Sequence, residues 1–194
     1  MTIKHISTGK IIIRHRINTL KLLDEVSSEF GIEFDIREGI NGIVVAHDPW
    51  SESMAFEDFL KNVHHAFYIV NVKSEGIEYE ALRLLKKYNI ENFFFLDCSF
   101  PMIVRLSKTG ERRFAIRVSE YESIETALAM KEFVDWIWLD SFISLPSKNV
   151  CSILKNSGFK LCLVSPELQG RTEDGSHLFN MVDAVCTKNI NLWL

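Results

Sequence analysis

Proline and glycine are scarce in this chain, four and nine among 194 residues, and its four cysteines, Cys98, Cys151, Cys162 and Cys186, show no CxxC spacing. The first scarcity excludes collagen-like and low-complexity chains. The second argues against a structural zinc and a disulfide framework, because three of the thiols lie in apolar runs where cysteine behaves as a small core residue. Basic charge is not in excess either: 22 Lys and Arg face 26 Asp and Glu for a net charge of −4. Nucleic acid, which needs a concentrated basic face, is therefore not the expected partner. No apolar run approaches the roughly 20 residues of a membrane span, and the N-terminus lacks the basic start and apolar stretch of a secretory signal. The expected setting is soluble and cytoplasmic. What is present is a globular composition, 47% hydrophobic and 25% charged, with no linker and no repeat. One domain over residues 1–194, built on one sizeable core, is the simplest reading.

Eight short apolar, β-branched or aromatic runs recur at about residues 11–15, 32–37, 67–73, 93–97, 114–119, 134–140, 159–165 and 184–188. Several are apolar at successive positions, as parallel strands covered on both faces are. Between them lie segments of helical spacing, clearest in Leu20, Leu23, Val26 and Phe30 and in Ile77, Ala81, Leu84, Leu85 and Tyr88. Segments 55–63, 101–106, 120–133 and 147–156 are weaker but compatible. The strands begin roughly every 20 to 26 residues, the beat of alternating β and α elements. One longer gap holds an additional short strand, 43–46, entered through the turn-prone Gly39-Ile-Asn-Gly42. Eight such units predict an α/β fold of the closed (β/α)₈ TIM-barrel type, made compact because this fold typically takes about 200 to 250 residues. An open doubly wound sheet competes less well, since no Gly-rich phosphate fingerprint follows any strand.

In a barrel of this type, chemistry gathers at the C-terminal ends of the strands. Those ends carry His15 and Arg16, Glu33 and Asp35, Asn71 and Lys73, Asp97, Arg117, Asp140 and Lys188, and His47 with Asp48 closes the extra strand. Glu33 and Asp35 are two apart on one strand, so both point to the same side. Two carboxylates held so close call for a cation, and a divalent metal with a preference for oxygen, Mg²⁺ or Ca²⁺, answers that need. Asn71 can add a neutral oxygen, and Lys73 an anion site or neutralising charge. The alternative is a plain charge network pairing Glu33 with Lys73 and Asp35 with Arg37 or Arg16. His15 and His47 are candidates for proton transfer; His5, His64, His65 and His177 read as surface or satisfied groups. Arg117 and Lys188 either bind a further anionic part of a ligand or pair with Asp97, Asp140 or Glu120. Trp50 and Phe142 read as loop or core packing rather than as substrate rim.

The order His15-Arg16, Asn18-Thr19-Leu20, Gly31-Ile-Glu33-Phe-Asp35 and Val44-Val45-Ala46-His47-Asp48-Pro49 resembles the glycerophosphodiester phosphodiesterase family, within the phosphatidylinositol phospholipase C-like barrels. Val182-Asp-Ala-Val-Cys-Thr187 is similar to that family's last strand. The resemblance implies a (β/α)₈ barrel and metal-dependent cleavage of a small phosphodiester. It further implies that His15 and His47 act as general acid and base, that Glu33 and Asp35 bind the metal, and that Arg16 contacts the phosphate. Lys73, Arg117 and Lys188 join Arg16 as candidate substrate-binding residues, and Asn71 joins the metal set where the family has a Glu. Two further departures are Ile17, which replaces a family glycine, and a shortened loop before Asn18. Asn71 and Ile17 keep open a second reading, a barrel that binds a phosphorylated ligand without turning it over. A third, a Schiff-base enzyme using Lys73 or Lys188, would need one of these amines in a dry pocket.

Overall fold

The computed structural model describes residues 9–51 and 53–194; His5 lies outside them. In chain order the elements are β1 (Ile11–Arg14), α1 (Leu20–Asp24), β2 (Gly31–Gly39), β3 (Gly42–Val45), β4 (Met54–Ala55), α2 (Phe56–Leu60), β5 (Phe67–Val72), α3 (Glu78–Lys87) and β6 (Phe93–Leu96). They continue with α4 (Phe100–Ser107), β7 (Ala115–Val118), α5 (Ile124–Ala129), β8 (Trp136–Leu139), α6 (Lys148–Asn156), β9 (Lys160–Val164) and β10 (Ala184–Thr187). All eight strands expected from the sequence are present, and they pair in parallel as a ring. β1 joins β2 and β10, β2 joins β5, β5 joins β6, and β7, β8, β9 and β10 follow in order. From β6 to β7 the ring passes through a single parallel bridge, Phe95 to Phe114, with the Phe95 N–H donating to the Arg113 carbonyl at 2.8 Å.

Strand alternation divides the apolar side chains into two populations. Ile13, Phe67, Ile69, Phe94, Leu96, Ala115, Trp136, Trp138 and Cys162 fill the inside of the ring. Ile12, Ile32, Phe34, Val70, Phe95, Ile137 and Leu161 face outward into the layer shared with the helices. Low in the ring, Phe67, Phe94 and Trp136 meet pairwise at ring-centroid distances of 5.8, 5.2 and 4.9 Å. This aromatic plug shuts the lower barrel to water, so a polar group can survive only nearer the C-terminal mouth. Gly31 is needed at the plug's edge: a Cβ there would stand 2.8 Å from Ile13 Cγ1 and 3.0 Å from the Phe67 carbonyl oxygen.

The helices are as reduced as the chain length requires. The longest, α3, has 10 residues, and the connections after β9 and β10 hold only 3₁₀ turns, Pro166–Gln169, Ser176–Met181 and Ile190–Leu192. Among the described residues the six α-helices fall on the six helical segments read from the sequence, and the last two units carry 3₁₀ turns in place of a helix. Four helices start from a hydroxyl that accepts a first-turn N–H, at Thr19, Ser99, Ser123 and Ser147. Such caps set where each βα loop ends, each contributing about 1 kcal/mol. Among the described residues no helix is long and apolar enough to cross a membrane.

β2 runs past the barrel mouth and returns as antiparallel β3, with Ile36 opposite Val45 and Gly39 opposite Gly42. The turn works because Gly42 sits at φ +124°, a conformation that side chains with a Cβ rarely adopt. β3 then pairs with β4, a two-residue strand too short to show a period in sequence. This three-stranded flap stands beside the mouth.

Candidate active site

The alternation along each strand decides which polar groups share the mouth. On β2 the inward positions run Gly31, Glu33 and Asp35, and Asp35 lies directly opposite Asn71 of β5. Glu33 and Asp35 are each 1% exposed and Asn71 7%, so the two carboxylates are buried side by side over the apolar plug. Glu33 Oε1 accepts from Asn71 Nδ2 at 3.0 Å, and Oε2 accepts from the Arg16 backbone N–H at 2.6 Å. Asp35 Oδ2 accepts from Asn18 Nδ2 at 2.8 Å, while Asn18 Oδ1 accepts the Asp35 N–H at 2.9 Å. His15 Nε2 stands 3.7 Å from Glu33 Oε2.

Lys73 does not pair with Glu33, as the charge-network reading supposed. It lies 3.5 Å from Asp35 Oδ1 and 3.1 Å from Asp97 Oδ2. From there a chain of ion pairs runs round the rim, Asp97 Oδ1 to Arg117 Nε at 2.8 Å and Arg117 Nη1 to Asp140 Oδ2 at 3.1 Å. Asp140 Oδ1 ends it by accepting from Gln169 Nε2 at 2.8 Å and from the Ser141 N–H. The alternative pairing is thus realised for Arg117. Arg37 goes elsewhere again, its Nη1 donating to the His47 carbonyl at 2.7 Å. Among the described residues, Arg16 and Lys188 are exposed and form no ion pair; both charges bear on His15 and depress its pKa.

His47 reaches the rim on the flap rather than on a barrel strand. Its chain segment is tied down by Arg37 and by the Ala46 N–H, which donates to the Asp35 carbonyl at 3.0 Å. The His47 Nδ1 lies 2.8 Å from Asp48 Oδ1, which leaves Nε2 free. Asp48 is an exposed loop carboxylate, and this contact holds the imidazole. The other described histidines have ordinary roles. His64 and His177 are exposed, and His65 Nε2 lies 3.1 Å from the Val26 carbonyl.

Burial, then the neighbouring Asp35 charge, push Glu33 up to about 7, against the hydrogen bonds from Asn71 and Arg16. Burial, then the Arg16 charge, push His15 down to about 4, with Asp35 opposing. A Glu raised from 4.5 to about 7 on folding adds stability while protonated, and that contribution fades as pH rises through about 7. His15, lowered from 6.5 to about 4, contributes the opposite slope over nearly the same range, so the two offset each other in the metal-free protein, and Glu33→Gln is expected to leave a urea midpoint that rises with pH between about pH 4.5 and 6.5. An unchanged slope in the variant would place the titration elsewhere.

Among the described residues no three of His, Cys, Asp and Glu converge as a metal site of those side chains requires. The donor set that does converge is two carboxylates and an amide. Asn71 Oδ1 is buried without a hydrogen-bond partner, an orphan acceptor of the kind that native interiors seldom tolerate. All three groups supply hard oxygens, so the set fits Mg²⁺ or Ca²⁺ in kind, with one negative charge fewer than three carboxylates would bring.

Several contributors escaped the sequence reading. Asn18 clamps Asp35, and Gln169 closes the ion-pair chain; neither carries a signal beyond its residue type, although Asn18 lies within the Asn-Thr motif. Arg16 adopts φ +58°, a left-handed conformation for a residue with a Cβ, which turns its N–H onto Glu33. Glu120 accepts three successive N–H groups, of Phe142, Ile143 and Ser144, each at 2.9 Å. It therefore shapes the β8 loop and is no partner for Arg117 or Lys188. Trp50 is fully exposed, which overturns its reading as packing, and Phe142 is 42% exposed against Tyr121 at 5.6 Å between centroids.

A (β/α)₈ barrel whose ionisable groups cluster at the C-terminal mouth is what fold and site together define. Solved structures of glycerophosphodiester phosphodiesterases share the fold. One is the enzyme of that name from Agrobacterium tumefaciens, at 13% identity over 95% of this chain and 99% of that one, with a TM-score of 0.67. A second protein of that bacterium, provisionally assigned as a glycerophosphoryl diester phosphodiesterase, matches at 17% identity over 95% of each chain with a TM-score of 0.70. A glycerophosphoryl diester phosphodiesterase from Parabacteroides distasonis matches at 12% identity, over 92% of this chain and 82% of that one, with a TM-score of 0.62. No protein-family model matches, and no curated protein matches in sequence. The resemblance carried by the N-terminal motifs thus extends, as a fold, over nearly the whole chain.

Proposed function

We propose that this chain is a metal-dependent phosphodiester hydrolase of the glycerophosphodiester phosphodiesterase type, one cytoplasmic barrel domain acting on a small phosphodiester. The observation that carries the reading is the gathering of buried Glu33, Asp35 and Asn71 with half-buried His15 in one patch at the barrel mouth, and His47 held at its edge. A setting that keeps thiols reduced is supported by four free cysteines, three of them buried.

Glu33, Asp35 and the Asn71 Oδ1 are the residues that would hold the cation. When bound, such an ion offsets the charge that builds on the phosphoryl oxygens. The remaining work falls to the chain's own groups. His15 and His47 exchange protons with the entering and leaving oxygens, and Asp48 fixes His47 in the tautomer whose Nε2 faces away from it. Arg16 and Lys188, exposed rim cations with no ion pair among the described residues, attract the phosphate. Lys73 and Arg117 meet the anion while still bound to Asp35, Asp97 and Asp140, so their larger effect is to balance buried charge.

Hydrolysis of bis(p-nitrophenyl) phosphate and of glycerophosphodiesters, with Mg²⁺, Ca²⁺, Mn²⁺ or EDTA, tests the reading. Turnover that requires metal supports it; no turnover with any metal, joined to absence of metal binding by calorimetry, refutes it. The binding-only reading gains from Lys73, which already lies against Asp35, and from the missing third carboxylate. Asn71→Glu bears on both. It is expected to tighten Mn²⁺ or Ca²⁺ binding by roughly tenfold or more in calorimetry, since ligand charge tunes the affinity of oxygen sites. Unchanged affinity would remove Asn71 from the cation site.

A further inference from the structure

The flap beside the mouth departs from the ordinary pattern of a hairpin that has one face in the core. Its outer face is regular: Ile36, Ile43 and Val45 are buried among the core residues. Its other face continues the line of Glu33 and Asp35 up β2 to Arg37 and Gly39. The paired positions put Gly42, Val44 and Ala55 on that same side. A solvated strand face normally carries polar side chains. Here Gly39, Gly42, Val44 and Ala55 leave a floor of small, uncharged groups. The floor is tightly built, since a Cβ on Gly39 would fall 2.7 Å from Val44 Cγ1.

Two large apolar residues stand at the lip, Ile40 and Trp50, both fully exposed. Trp50 is held there at φ +62°, a backbone conformation that costs a residue with a Cβ about 1 kcal/mol or more. Floor and lip border an open, mainly apolar hollow of about 800 Å³ next to Asp48, with Glu38, Asn41, Ser51 and Ser53 also on its rim. That volume is in the range of small-molecule sites. The charged groups at its inner end are engaged already, Arg37 with the His47 carbonyl and Asp48 with the His47 ring.

We infer that this hollow takes an alkyl chain carried by one alcohol of the substrate, so that the preferred substrate is an amphiphilic phosphodiester with its phosphate at the mouth and its chain along the flap. The inference rests on the hydrolase reading for the phosphate's position. Continuity of the β2 face from the buried carboxylates to Gly39 argues for the substrate itself as occupant, because a chain attached to phosphate at the mouth has this apolar surface next to it. Val44 and Trp50 then set chain-length preference, and neither takes part in the chemistry.

Binding is tested apart from turnover, with octyl phosphate and methyl phosphate below micellar concentration. Octyl phosphate is expected to bind at least about tenfold more tightly by calorimetry, a modest return for the roughly seven additional methylene groups partly removed from water. Its binding is also expected to shift tryptophan emission to the blue, a change owed to Trp50 because Trp136, Trp138 and Trp193 are buried already. Trp50→Ala, an exposed position that leaves the fold untouched, and Val44→Trp, which fills the floor, should each reduce the octyl-to-methyl preference several-fold. Equal affinity for the two phosphates overturns the inference, as does a preference that survives both substitutions. An emission shift seen with phosphatidylcholine vesicles but not with monomeric octyl phosphate overturns it in favour of a membrane surface. Turnover of p-nitrophenyl octyl and p-nitrophenyl methyl phosphate is read separately. If neither is hydrolysed the hydrolase reading fails, and the calorimetry still decides what the hollow binds.

Discussion

His15→Ala is expected to lower turnover of bis(p-nitrophenyl) phosphate by about 10² to 10⁴-fold, the range in which a positioned proton-transfer group contributes. His47→Ala is expected to do the same. Stability should hardly move in either case. The His15 Nδ1 has no hydrogen-bond partner and its Nε2 is 3.7 Å from Glu33, beyond hydrogen-bond reach. The His47 side chain is 37% exposed and touches only Asp48 through its ring nitrogen. Kinetics at saturating metal, paired with urea melts, separate the two effects. Loss of activity with an unchanged midpoint locates the function in the imidazoles. Full activity after either substitution removes that residue from the acid–base pair. The pair also distinguishes hydrolase from binder, because proton transfer is needed for turnover and not for holding a phosphorylated ligand.

The strands were legible because burial on both faces leaves long apolar words, such as Phe93-Phe-Phe-Leu96 and Trp136-Ile-Trp-Leu139, that loops and short surface helices do not write. The same rule made the polar interruptions stand out. Glu33, Asp35 and Asn71 break apolar strands on the inward phase, and the structure places all three at the mouth. Partner choice was not legible. Whether Lys73 takes Glu33 or Asp35 depends on a shift of a few ångströms that residue order does not encode. The location of Asn18 against Asp35 depends on the left-handed turn at Arg16, a conformation that nothing in the residue type foretells. Trp50 misled for a related reason: an indole usually finds cover, and only the backbone at φ +62° shows that this one does not.

The ion-pair chain joins these two kinds of information, and Lys73→Met tests its weight. Lys73 is the only described side chain that bridges Asp35, 1% exposed, and Asp97, 26% exposed. Against its own burial, Arg117 and Lys73 together hold the Asp97 carboxyl below the usual range. Removing the ammonium leaves Asp97 with Arg117 but leaves Asp35 beside Glu33 with only the Asn18 amide and no positive charge at hand. A buried charge stripped of its partner costs several kcal/mol, and partial exposure of the lysine moderates that here to about 2 to 4 kcal/mol. In EDTA the variant's urea midpoint should fall accordingly. Added Mn²⁺ or Ca²⁺ should then restore more stability to the variant than it adds to the wild type, because the ion and the ammonium offset the same carboxylates and binding to the folded state alone stabilises it. Equal stabilisation of both proteins would mean that Lys73 and the cation do not compete for Asp35. The cation would then lie on Glu33 and Asn71, away from the lysine, and Asp35 would belong to the rim's charge chain.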